Sequence, residues 1–168
     1  SDLIQRAAQL ARTLGHSYVG SAHLLLVMAR EPGAAGQTLR LLGMDPDLTE
    51  AMARLLYGMG TPELPLPQGL TGESRALLRV AAREAKILGS REITPQHLLL
   101  AMARRESSDA YELLKLNGIS TDELFTHAVD YLHWEQGAPV RGKKEAVTTK
   151  LLEQFSEDLI LKASGMDP

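Results

Sequence analysis

The chain states one segment twice. Residues 3–30 (LIQRAAQLARTLGHSYVGSAHLLLVMAR) return as residues 77–104 (LLRVAAREAKILGSREITPQHLLLAMAR), and thirteen of the 28 aligned positions are identical. The shared positions include Leu14-Gly15 with Leu88-Gly89, and His23 to Leu26 with His97 to Leu100. Self-similarity at a fixed period is the signature of one structural unit used more than once. A chain of 168 residues built this way pairs two copies of a small unit, with pseudo-twofold symmetry and paired surface grooves. That architecture suits binding better than catalysis.

The repeated unit is helical. Leu3, Ala7, Leu10, Ala11 and Leu14 recur at helical spacing, and Leu77, Ala81, Ala85 and Leu88 repeat the stripe. Gly15 and Gly89 stand where a left-handed residue would close each helix. Ser21 and Thr94 stand at the expected N-caps, and Pro95 follows Thr94 at the first helical position, where its missing N–H costs nothing. The second helices are expected over about 22–30 and 95–105. Third helices follow over about 34–43 and 108–118, each closed by glycine. Gly43 and Gly118 match only if the second copy carries one extra residue near Arg104-Arg105. Fourth helices over about 46–58 and 121–136 begin at Asp45-Pro46 and at Ser120. Between the copies, residues 59–70 hold three prolines and cannot be a helix. The first copy has no match to Leu70-Thr71-Gly72-Glu73-Ser74, so its opening turn is expected to be trimmed.

The expected fold is therefore all-α: two pseudo-twofold-related four-helix repeats, about eight helices in all. Repeat one covers about 1–58, the connector 59–70 and repeat two about 71–136. Residues 137–147 (GAPVRGKKEAV) read as a flexible linker. Residues 148–163 read as a further helix, with Leu151, Leu152, Phe155, Leu159 and Ile160 on one face.

Composition narrows the function classes. Hydrophobic residues make up 44% and charged residues 23%, the balance of a globular protein. A net charge of −3 gives no reason to expect nucleic acid or an anionic membrane as partner. With no cysteine, disulfide and thiolate chemistry are excluded and nothing argues for secretion, so the cytoplasm is the default. Gly137 to Lys144 fits GxxxxGK, but a nucleotide loop needs a strand before it and a hydroxyl after the lysine. Here a helical segment precedes it and Lys144 takes the hydroxyl's place. His23 and His97 open equivalent apolar helices, where a capping or core hydrogen bond explains them better than a metal does. His127, Asp130 and His133 spread over too wide an arc for a compact metal site, and no serine stands beside a base. No catalytic, cofactor or metal residues are assigned.

The repeated signatures, LGHSYVGSAHLLLVMARE and LGSREITPQHLLLAMARRE, resemble the N-terminal Clp repeat of the Clp/Hsp100 AAA+ unfoldases. The resemblance runs from Leu3 to about Trp134. The tail, Leu152 to Leu159 followed by Gly165-Met166-Asp167-Pro168, is similar to the segment leading into the first ATPase module of those proteins, so residues 148–168 are expected to open a truncated module. The resemblance implies a domain tethered to a hexameric ATPase ring, monomeric by itself, which captures protein substrates and docks adaptor proteins. A ClpP-type protease would be engaged through the ATPase region, and ATP and Mg²⁺ would be bound there rather than here.

In ClpC-type members a Gly-Thr-Glu-His motif carries, in each repeat, a glutamate that helps bind phosphoarginine. The matching positions in this chain are Ala22 and Gln96, neither of which is a carboxylate. The resemblance thus implies weak or absent phosphoarginine binding, restored by glutamate at both. Candidate docking positions are Ser21, Ala22, Thr94 and Gln96, on a repeat signature of Gly15, His23, Gly89 and His97. A ClpB-like disaggregase domain, a stand-alone double-repeat modulator without ATPase, and an enzyme using the Gly137–Lys144 loop are the alternatives.

Overall fold

The computed structural model describes residues 2–60, 67 and 69–137. The linker and helix expected beyond Gly137, the lysine half of the GxxxxGK motif and most of the proline-rich connector lie outside the described residues. Eight helices hold most of the described residues. Repeat one comprises α1 (Asp2–Thr13), α2 (Ser21–Arg30), α3 (Ala34–Leu41) and α4 (Pro46–Tyr57). Repeat two comprises α5 (Gly72–Ile87), α6 (Pro95–Arg104), α7 (Asp109–Leu116) and α8 (Thr121–Gly137). The residues before the GxxxxGK motif are the last turns of α8, not a strand.

The helix ends follow from the sequence. Gly15, Gly43, Gly89 and Gly118 all adopt positive φ. At each, the glycine and the residue after it donate back to the preceding turn, as in Gly15 N to Arg12 O and His16 N to Ala11 O. Orphan carbonyls at four helix ends are satisfied in this way. At the starts, Asp45 Oδ1 accepts from the amides of Asp47 and Leu48, and Ser120 Oγ accepts from Glu123 N. The extra residue of the second copy falls between α6 and α7, where the longer loop ends on the N-cap Ser108.

Packing explains why the apolar runs of α2 and α6 are continuous rather than one-sided. Leu24, Leu25 and Leu26, like Leu98, Leu99 and Leu100, have no exposed surface. Each of these helices is enclosed by its own repeat and also by the other one. Besides α1, α3 and α4, α2 touches α5 and α7, and besides α5, α7 and α8, α6 touches α3. The third helix of each copy thus packs on the second helix of the other, as a pseudo-twofold relation requires. Truncating a leucine at the centre of α2 or α6 would cost about 2–5 kcal/mol through lost contacts and an unfilled cavity.

The copies differ at two places. The first turn of α5, at Gly72–Arg75, docks on repeat one. Val19 and Leu70 form an isolated parallel bridge, with Val19 N donating to Gly69 O and Thr71 N to Val19 O. Ser74 Oγ adds a bond to Val19 O at 2.9 Å. The second difference is α8, which is longer than α4 and lies extensively along α6. Repeat two is therefore closed where repeat one stays open.

Candidate functional site

Of the four candidate docking residues, Ser21 and Ala22 lie at the head of α2, and Thr94 and Gln96 at the head of α6. Their placement corrects one expectation. Ser21 does not cap α2. Gly20 does, as the 74-residue register implies, because it pairs Gly20 with Thr94 and Ser21 with Pro95. Ser21 is the first helical residue and fully buried. Its Oγ is turned across the repeat boundary to accept from Ala110 N at 2.9 Å. Thr94 caps α6 as expected. Ala22 and Gln96 retain only 5% and 3% of their surface, which limits what either can offer a partner.

Both histidines serve the cap. His23 Nδ1 accepts from Gly20 N at 2.9 Å, and His97 Nδ1 accepts from Thr94 N at 2.8 Å. A histidine at the third helical position thereby does the work of the glutamate or glutamine in a capping box. Beyond that the copies diverge. Because His23 Nδ1 is an acceptor, its neutral ring carries the proton on Nε2, which lies 2.8 Å from His16 Nδ1. His16 Nε2 in turn sits 2.9 Å from Gly58 O. Two neutral imidazoles satisfy this relay with every donor facing an acceptor. Burial, reinforced by His16, holds the His23 pKa down at about 4. Repeat two has Ser90 in place of His16, and there His97 Nε2 and both amide atoms of Gln96 are buried with no hydrogen-bond partner among the described residues. Burial holds His97 at about 4 against an opposing pull from Glu135.

In repeat one the small residues Gly20 and Ala22 leave space. A cleft of about 360 Å³ opens there. The α1–α2 loop, the start of α2, one face of α4 and the first turn of α7 form its walls. Leu14, Leu26 and Ala53 make it apolar on one side, and His23, Tyr57 and Asp109 give it polar groups. Tyr57 donates from its hydroxyl to Glu112 Oε1 at 2.9 Å. Burial first, and then that bond, raises its pKa. Asp109 is pushed up to about 6, by burial first and then by the nearby charges of Glu73 and Glu112.

Three contributors to this site, Glu73, Asp109 and Tyr57, carry no mark in the sequence. Glu73 is the most consequential. Its Oε1 accepts from Ser21 N at 2.8 Å, so repeat two supplies a carboxylate to the helix N-terminus of repeat one. It lies ahead of the aligned segments 3–30 and 77–104, and comparison of the copies therefore could not expose it. An acidic residue in the first turn, two positions after the capping Thr71, was the only available signal, and that pattern also serves α5 itself.

A duplicated all-α domain, with intertwined copies and an open cleft at the head of one central helix, is a helical repeat module. The profile of the Clp repeat (R) N-terminal domain matches residues 1–117, and the chain belongs to this family. The "Negative regulator of genetic competence ClpC/MecB" of Bacillus subtilis (strain 168) is 27% identical over 96% of this chain and 20% of its own length. The "ATP-dependent Clp protease ATP-binding subunit ClpA homolog" of Porphyra purpurea is 26% identical over 99% of this chain and 21% of its own. The chain spans about a fifth of the length of these relatives. Among solved structures, the N-terminal domain of the chaperone ClpD from Arabidopsis thaliana superposes with a TM-score of 0.58 at 21% identity, covering 79% of this chain and 96% of that one. A chain from structural investigations of a malarial protein secretion system gives a TM-score of 0.64 at 12% identity, covering 78% and 90%. Both are likenesses of fold. The all-α domain, eight helices among the described residues, is thus a Clp N-terminal domain.

Proposed function

We propose that this domain docks protein substrates and adaptor proteins for an ATP-dependent Clp unfoldase, and that it works by binding rather than by chemistry of its own. The observation that carries the reading is the repeat-one cleft, an apolar and polar recess on a domain whose relatives are named as ATP-binding subunits of the Clp protease. ATP and Mg²⁺ would belong to the ATPase modules of the longer protein, and a ClpP-type protease would be engaged there. A cytoplasmic location rests on composition; no described helix is long and apolar enough to cross a membrane, and some relatives are named as chloroplastic. The ClpC and ClpA names among the relatives favour unfolding for proteolysis over a ClpB-like disaggregase.

The reading is tested by titrating the chain with a permanently unfolded protein and following anisotropy of a label on that protein. Saturable binding is expected, weakened at least fivefold when the cleft is filled by Ala53→Trp. Binding unaffected by filling the cleft would move docking elsewhere, and no binding at all would remove the proposal. Phosphoarginine peptides are expected to bind weakly, since Ala22 offers no carboxylate. Gln96→Glu is not expected to help, because residue 96 is buried and a charge there would be desolvated without a counter-ion.

A further inference from the structure

The repeat-one cleft owes its shape to where α4 stops. Gly58 closes that helix at φ +74°, a backbone conformation that favours glycine. The register that pairs Gly43 with Gly118 matches Gly58 to His133, which lies inside α8. In repeat two the helix therefore runs on at the point where repeat one turns away. The end of α4 is fastened by two groups of the α1–α2 segment. Leu14 O accepts from Gly60 N at 2.8 Å, and His16 Nε2 lies 2.9 Å from Gly58 O.

The bond from His16 belongs to a chain of bonds with a single polarity. Gly20 N donates to His23 Nδ1 at 2.9 Å. The neutral His23 ring then donates from Nε2 to His16 Nδ1 at 2.8 Å, and His16 donates from Nε2 to Gly58 O. The chain runs from the cap of α2 to the end of α4, and so from one wall of the cleft to another. Ala22 and His23 belong to the first wall, Ala53 and Tyr57 to the second, and His16 itself lines the cleft between them. Burial keeps His23 neutral at pH 7, which preserves the polarity. Ser90, at the matching place in repeat two, has a hydroxyl too short to bridge two such groups.

We propose that His16 is the positioning residue of the docking cleft: it fastens the end of α4 to the head of α2 and so keeps the wall of Ala53 and Tyr57 in place for the docked segment. The inference rests on the docking function proposed above. It explains why the two copies, alike in sequence around His23 and His97, do not share a cleft. In repeat one a helix stops and a ring holds its end; in repeat two the helix continues and the ring is absent.

The test measures docking of the labelled unfolded protein at pH 7 on the 168-residue chain and its variants. Circular dichroism verifies that each variant is folded. His16→Ser installs the residue of repeat two and is expected to weaken docking about fivefold, the worth of one hydrogen bond. His16→Gln offers an acceptor and a donor in the same order and is expected to bring docking back to within about twofold of the parent. Gly89→Ala strains the end of α5 but its added carbon meets nothing within 4 Å. It is expected to leave docking unchanged, which separates positioning from a general loss of stability. Ala53→Trp fills the same cleft, so adding His16→Ser to it should weaken docking no further. The positioning role is overturned, with docking intact, by any of four results: His16→Ser docking like the parent, His16→Gln docking as weakly as His16→Ser, Gly89→Ala losing as much, or losses that add in the double variant. If the parent fails to bind the unfolded protein, or Ala53→Trp leaves binding unchanged, docking in the cleft falls and this inference falls with it.

Discussion

At the scale of single residues, Gly15 and Gly89 look interchangeable in sequence and are not. Both hold φ near +75°, 73° at Gly15 and 76° at Gly89, where any L side chain is strained by about 1–2 kcal/mol. A Cβ at Gly89 would meet nothing within 4 Å. At Gly15 it would lie 2.2 Å from the carbonyl carbon of Gly60, because the start of the connector folds back and Gly60 N donates to Leu14 O. Gly89→Ala should therefore cost about 1–2 kcal/mol, the strain alone. Gly15→Ala should cost clearly more, since the connector must also move away from the mouth of the cleft. Urea unfolding of the two variants measures this, and equal losses would mean that the Gly15–Gly60 approach contributes nothing.

At the scale of elements, much of the fold was legible because helix ends carry local chemistry. Glycine after a leucine stripe, aspartate before proline and serine before an acidic turn each act within four residues. Ser21 was misread for the complementary reason: a serine before an apolar run has the look of a cap, but its hydroxyl is claimed by Ala110, 89 residues away. Glu73 was invisible on the same grounds, since its partner at Ser21 is 52 positions distant. The caps themselves lead to a pH prediction. His23 and His97 accept cap amides through Nδ1 and are held at about 4 when folded, against an ordinary value near 6.5. The unfolded chain binds more protons through this window. Their stabilisation is complete above about pH 6.5 and is lost as pH falls towards 4, at roughly 1.4 kcal/mol per pH unit for each histidine. Asp109, held at about 6 beside Glu73 and Glu112, works the other way: it gains stability as pH falls through 6 and offsets about one histidine. The chain should therefore melt at lower temperature at pH 4.5 than at pH 7. His97→Asn, whose Oδ1 can accept from Thr94 N, should flatten that dependence, although Glu135 opposes the shift at His97. A melting-temperature profile as steep as the parent's would show that His97 is not one of the groups responsible.

For the molecule as a whole, the duplication raises the question of whether each copy is a folding unit. Sequence makes them look autonomous, joined by a proline-rich connector. The contacts say otherwise. α2 is buried on nine of its ten residues, partly by α5 and α7 of the other copy. Buried polar groups are also shared across the boundary. Ser21 Oγ serves Ala110 N, Thr49 Oγ1 bonds Asn117 Oδ1 at 3.1 Å, and Val19 O takes both Thr71 N and Ser74 Oγ. Separation would expose apolar surface worth about 25 cal/mol per Å² and leave each of these groups to water. The loss is unequal. Repeat two keeps the long contacts of α5 and α8 along α6, whereas in repeat one α2 is held by the shorter α1, α3 and α4. If the chain is produced as two pieces cut in the connector, the first piece should be largely unfolded alone and the second partly helical without a sharp melt. Mixed together, they should regain the helicity and a cooperative transition, at a midpoint that rises with concentration because folding is now bimolecular. A first piece that melts cooperatively by itself, near the temperature of the intact chain, would mean that the shared helices decorate two finished domains; otherwise the cleft, lined by Thr71 and Asp109 of repeat two and by residues of repeat one, exists only in the pair.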